Sequence, residues 1–114
     1  MYNTATLTKR NSKPLNNYMV KEIIEATPQQ LLIKIYDFAI LNCQRRNLAK
    51  TNQAIQELIN SLRWEGEDVR QISTGLLRLY QFCQNEMREK NYDIVYRILS
   101  ELRETWIKVF NMLG

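Results

Sequence analysis

The chain has 114 residues, 45% of them hydrophobic, with only 3 glycines and 2 prolines; this suits one domain with one core and supplies too few turns for an all-β fold. Its net charge is +4, yet Lys9, Arg10, Lys13 and Lys21 are the only charged residues before Glu22, so the body that follows is neutral and lacks the basic stripe of a nucleic-acid domain. There is no His and no CxxC pair to hold zinc, and no apolar run approaches the roughly 20 residues of a membrane span.

Residues 1–15 are polar and aperiodic, which predicts a flexible tail before a domain over 16–114. They contain no apolar core of a secretory signal, so the cytoplasm is the expected compartment. Asn16–Ala26, with Met19, Val20, Ile23 and Ile24, predicts a short first helix. Pro28 ends it and opens a second over about 28–46. Thr27 can cap that helix, Pro28 suits its first position, and Gln30 can complete a capping box. Its sequence is unusually apolar: Leu31, Leu32, Ile33, Ile35, Tyr36, Phe38, Ala39, Ile40 and Leu41 leave a polar strip of Lys34, Asp37 and Gln44. Docking on a bundle needs one apolar stripe. A second stripe through Ile33 and Ile40 calls for another purpose. Asp37 is expected as a surface charge, a partner of Lys34, or a polar anchor for a ligand.

Arg45-Arg46-Asn47 breaks the pattern. Leu48, Ile55, Leu58, Ile59 and Leu62 then predict a third helix over about 49–63. Trp64-Glu65-Gly66-Glu67-Asp68 reads as a turn. A fourth helix, about 68–89, carries Val69, Ile72, Leu76, Leu79, Tyr80, Cys83 and Met87. Gly75 within it suggests close helix approach. After a break at Glu89-Lys90-Asn91, a fifth helix over about 92–112 carries Val95, Ile98, Leu99, Leu102, Trp106 and Val109. Cys43 and Cys83 read as reduced core residues. The short connections predict an all-α, antiparallel four-helix bundle with a short additional N-terminal helix.

Nothing in this pattern points to catalysis, a cofactor or a metal. Glu86 and Glu89, like Glu101 and Glu104, share a helix face but lack the His partner of a di-iron bundle. The aromatics Tyr80, Phe82, Tyr92, Tyr96, Trp106 and Phe110 read as core. The remaining feature is surplus apolar surface, extended by Leu77, Phe82, Ile94, Ile107 and Phe110. Such surface takes either an amphipathic helix of a partner or a second copy of the chain, and the pattern alone favours neither.

The segment from Tyr18 to Asp37 resembles the flagellin export chaperone family, FliS. Tyr18, Ile23, Ala26-Thr27-Pro28, Leu31 and Ile35-Tyr36-Asp37 match its opening motif. Glu57-Leu58 with Ser61-Leu62, Gly75-Leu76 with Leu79-Tyr80, and Leu102-Arg103-Glu104-Thr105-Trp106 are similar to its later ones, in the same order. Phe38 stands where the family usually has a small residue. The resemblance covers about residues 16–110. It implies a cytoplasmic chaperone that binds the disordered C-terminal segment of flagellin and prevents its polymerisation before export through the flagellar type III apparatus. The implied partners are that segment and components of the export apparatus, with a homodimer in the absence of cargo, and with no nucleic acid or membrane. The implied flagellin-binding residues are Tyr18, Ile23, Leu32, Ile33, Tyr36, Asp37, Ile40, Ile55, Leu58, Leu62, Leu79 and Tyr80, with the segment around Tyr18 able to cover the groove. The rival readings are a self-associating structural bundle and a nucleic-acid binder using Lys9, Arg10, Lys13, Arg45 and Arg46.

Overall fold

A computed structural model describes residues 27–113. They form four helices and no strand: α1 Pro28–Gln44, α2 Leu48–Asn60, α3 Glu67–Arg88 and α4 Tyr92–Leu113. The expected tail and first helix, with Tyr18 and Ile23, lie outside the described residues. The chain divides into two compact units, Met1–Leu31 and Leu32–Gly114.

α1 opens with the expected capping box. Thr27 Oγ1 accepts from the Gln30 amide at 3.1 Å, and Gln30 Oε1 accepts from the Thr27 amide at 2.9 Å. The helix closes on a Schellman turn, in which the Asn47 amide donates to Asn42 O and the Arg46 amide to Cys43 O, each at 2.9 Å. Asn47 then caps α2, its side chain accepting from the Lys50 amide at 3.0 Å. The end of α3 repeats the turn: the Asn91 amide donates to Glu86 O at 2.8 Å and the Lys90 amide to Met87 O at 3.0 Å. Arg46 (φ 57°) and Lys90 (φ 64°) occupy the left-handed position that such turns normally give to glycine.

α2 is shorter than the sequence suggests. It stops at Asn60, where the Ser61 hydroxyl takes the Leu58 carbonyl at 2.8 Å. Leu62 and Arg63 are therefore outside the helix, and Ser73 Oγ holds the connection by donating to Arg63 O. Gly66 follows at φ 93°, ψ 147°, a conformation essentially restricted to glycine. α3 then begins with Glu67 and Asp68 in its first turn, where carboxylates suit the helix dipole.

Every helix contributes to one core: Tyr36, Ala39 and Cys43 from α1, Ile55 and Leu58 from α2, Tyr80, Cys83 and Met87 from α3, Val95 and Leu99 from α4. Burying each large side chain stabilises the fold by about 1.5–3 kcal/mol. Both cysteines are free and buried, as the sequence suggests. The closest backbone approaches are α2 with α3 and α3 with α4. Two expectations fail. Gly75 does not serve close packing, because a Cβ there would meet nothing within 4 Å. The aromatic set is not all core: Phe82 and Tyr96 are 45% and 41% exposed.

Candidate functional site

The site expected on α1 divides between the core and a seam with α4. The helical period turns Tyr36, Ala39, Asn42 and Cys43 inward, and all four are buried. Asn42 satisfies its amide on Phe38 O at 2.8 Å. Tyr36, one of the implied flagellin-binding residues, is fully buried. Its hydroxyl is hydrogen-bonded to that of Tyr80, and Trp106 Nε1 donates to it at 3.0 Å. The shared hydroxyl joins α1, α3 and α4, and each polar atom of this trio has a hydrogen-bond partner. Burial, then the neighbouring Tyr80, push the Tyr36 hydroxyl well above the ordinary tyrosine range. Burial likewise raises Tyr80 and pushes the Cys83 thiol up to about 12.

The seam between α1 and α4 carries the polar part of the site. Arg103 Nε donates to Asp37 Oδ1, an exposed ion pair. Cys43 Sγ donates to Tyr92 O at 3.4 Å at the other end of α1. Ile33 and Ile40 fall on the same edge of α1 as Asp37 and are half-buried. Ile40 packs against the core cluster, so the second stripe is not a free face at this position. The apolar residues that α1 exposes are instead Leu31, Phe38 and Leu41, at 40%, 47% and 42%.

The other expected contact residues are also distributed between core and margin. Ile55, Leu58 and Tyr80 are buried at 0%, 1% and 2% exposure, so a ligand could reach them only if the helices parted. Leu32, Leu62 and Leu79 are half-buried. The residues brought to one place are thus Ile33, Asp37 and Ile40, with Arg103 across the seam. Sequence reasoning missed Arg103, although it is the Arg of the Leu-Arg-x-x-Trp motif, and it missed the exposure of Phe38.

Among the described residues, no group of His, Cys, Asp or Glu is placed to hold a metal ion, and no helix is long and apolar enough to cross a membrane. No family model matches the chain, and neither a curated protein nor a solved structure matches it.

Proposed function

We propose that the chain is a cytoplasmic export chaperone that holds the disordered C-terminal segment of flagellin until it is handed to the flagellar secretion apparatus. The body would be an antiparallel four-helix bundle, preceded in the chain by a short additional N-terminal helix. Antiparallel order is supported by the pairing of Tyr36 with Trp106, Asp37 with Arg103 and Cys43 with Tyr92, which runs up α1 and down α4. The observation that carries the reading is the seam itself. Ile33 and Ile40 line an edge of α1 that approaches α4 less closely than α2 approaches α3. A cargo that orders on binding needs a long apolar track to offset its lost entropy, and Ile33 and Ile40, with the exposed Leu41 beside them, contribute to one. The ordered motifs that resemble the flagellin chaperones add to this.

Without cargo the same surface favours a homodimer. Ile72, Met112 and Leu113, exposed at 61%, 85% and 73%, add to the apolar surface that such a pairing would hide.

The test is Ile33→Glu. Ile33 is half-buried at the seam and, unlike Ile40, is not packed on the core cluster, so the variant is expected to stay folded by circular dichroism while losing most of its affinity for flagellin. Outright unfolding would make Ile33 a core residue and remove the groove at this position, since a charge buried in a core costs several kcal/mol.

A further inference from the structure

The Tyr36–Tyr80 hydrogen bond joins residues 44 apart, and the same shift superimposes much of the chain on itself. It carries Leu32 to Leu76, Phe38 to Phe82, Asn47 to Asn91 and Glu57-Leu58 to Glu101-Leu102. It also carries the end of α1 to the end of α3 and the start of α2 to the start of α4. The buried residues follow: Tyr36, Ala39, Cys43, Thr51 and Ile55 map on Tyr80, Cys83, Met87, Val95 and Leu99, all buried. The left-handed residues Arg46 and Lys90 map on each other and are the only such non-glycine residues among those described. The second helical hairpin repeats the first.

The repeat makes α1 and α3 equivalent helices, and the two are not held alike. α3 approaches both α2 and α4 more closely than α1 approaches either. α3 is also clasped to α2: the side-chain amides of Asn52 and Gln84 each donate to the other's backbone carbonyl, at 3.1 and 3.2 Å. The equivalents of these two residues are Tyr96 and Ile40, and an isoleucine has no group to make such a bond. α1 is tied instead by the exposed Asp37–Arg103 pair, by the Cys43 thiol on Tyr92 O, and by the Tyr36 hydroxyl. Exposed ion pairs contribute little, and a thiol is a weak donor. The Tyr36 link is short of acceptors. Trp106 Nε1 and the two tyrosine hydroxyls bring three hydrogens to two oxygens, so one buried hydroxyl proton has no acceptor within the trio. Leaving a buried donor unpaired costs free energy, and water removes that cost when the site opens.

We propose that residues 32–44 of α1 form a hinged cover. They leave the bundle as one unit, turning at the Arg45-Arg46-Asn47 corner, while α2, α3 and α4 stay packed on one another. Segments that move in this way are drawn from the least stable part of a fold. The opening uncovers Tyr80, an implied flagellin contact that the closed bundle buries to 2% exposure. Admission of cargo under the cover rests on the function proposed above; the opening itself does not.

The test is native-state amide hydrogen exchange of the full chain without flagellin, read residue by residue by NMR at denaturant concentrations below the unfolding transition. The repeat supplies the control, because Tyr36, Ala39 and Cys43 hold the places in α1 that Tyr80, Cys83 and Met87 hold in α3. The α1 amides are expected to share one opening, with protection factors at least about tenfold below those of their α3 counterparts. That opening should depend less on denaturant than global unfolding does, because it exposes less surface. Val95 and Leu99 of α4 are expected to be protected like α3, which separates hinging of α1 from fraying of both the first and the last described helix. Equal protection of α1 and α3, or joint opening of α1 and α4, would overturn the proposal whatever the chain binds. A chain that fails to bind flagellin and still shows the separate opening of α1 would overturn the proposed function and leave the cover standing.

Discussion

The 44-residue repeat sets two seams side by side. Between α2 and α3, Asn52 Nδ2 donates to Gln84 O at 3.1 Å, while Gln84 Nε2 donates to Asn52 O and Gln56 Oε1, each at 3.2 Å. The equivalent positions in the other seam, between α4 and α1, are Tyr96 and Ile40. There the polar clasp is gone. An exposed Asp37–Arg103 pair takes its place, and pairs of that kind contribute about 0–1 kcal/mol. The two hairpins therefore share a core and differ at their margins. The α2–α3 seam is clasped by two amide-to-backbone bonds, whereas the α1–α4 seam has the weaker Cys43 thiol bond to Tyr92 O and keeps isoleucines and an aromatic at its edge. A repeat diverging in this way clasps one seam more firmly than the other.

Equivalent core positions should respond alike, and this comparison has the largest expected effect. Ile55→Ala and Leu99→Ala, both at 0% exposure, should each cost about 2–5 kcal/mol in urea unfolding. A cost confined to one hairpin would break the equivalence. The tyrosine pair should be less symmetric. Tyr36→Phe leaves both Tyr80 Oη and Trp106 Nε1 without this partner, whereas Tyr80→Phe leaves the bond from Trp106 to Tyr36 in place. The first should cost about 1–3 kcal/mol and the second clearly less. Equal losses in thermal unfolding would show that Trp106 takes no part in the network.

The sequence made much of this fold legible, because its strongest signals are local. Thr27-Pro28 and Gln30 specify a capping box that forms as written, and the breaks at Arg45-Arg46-Asn47 and Glu89-Lys90-Asn91 become the two Schellman turns. The outer face of α1 was less legible. Nine apolar residues in one helix blur the phase of the wheel, so Ile33 and Ile40 read as the outer stripe while Phe38 and Leu41 occupy it. The network around Tyr36 joins residues 44 and 70 positions apart, which no local pattern can pair. Gly75 read as a packing contact because a glycine in a helix usually needs a reason, and the structure provides none.

The corners sharpen the comparison at a smaller scale. Lys90→Gly should raise stability by about 1 kcal/mol by relieving the left-handed residue. Arg46→Gly should gain less, because it also removes the guanidinium from the Tyr92 ring, a contact of about 0.5–1 kcal/mol. Equal gains in thermal unfolding would show that the stacking contributes nothing.

Alkaline stability should separate Ala39 from its counterpart Cys83. The buried thiol keeps its proton up to about pH 12, and the unfolded chain's thiol loses it at an ordinary value. The unfolded state thus binds fewer protons above that value, and stability falls as pH rises from there to about 12. The raised Tyr36 and Tyr80 hydroxyls act in the same direction. Cys83→Ala, which makes α3 like α1 at this position, should flatten the fall without removing it. An unchanged slope would mean that the thiol is not the group responsible.

The proposed function requires that the chain receive the C-terminal segment of flagellin at the seam between α1 and α4. The direct measurement is calorimetric titration of the full chain with flagellin and with flagellin lacking that segment. Saturable binding of the first and none of the second is predicted, with the heat capacity falling on binding as apolar surface is buried. Equal binding of both, or of neither, would contradict it.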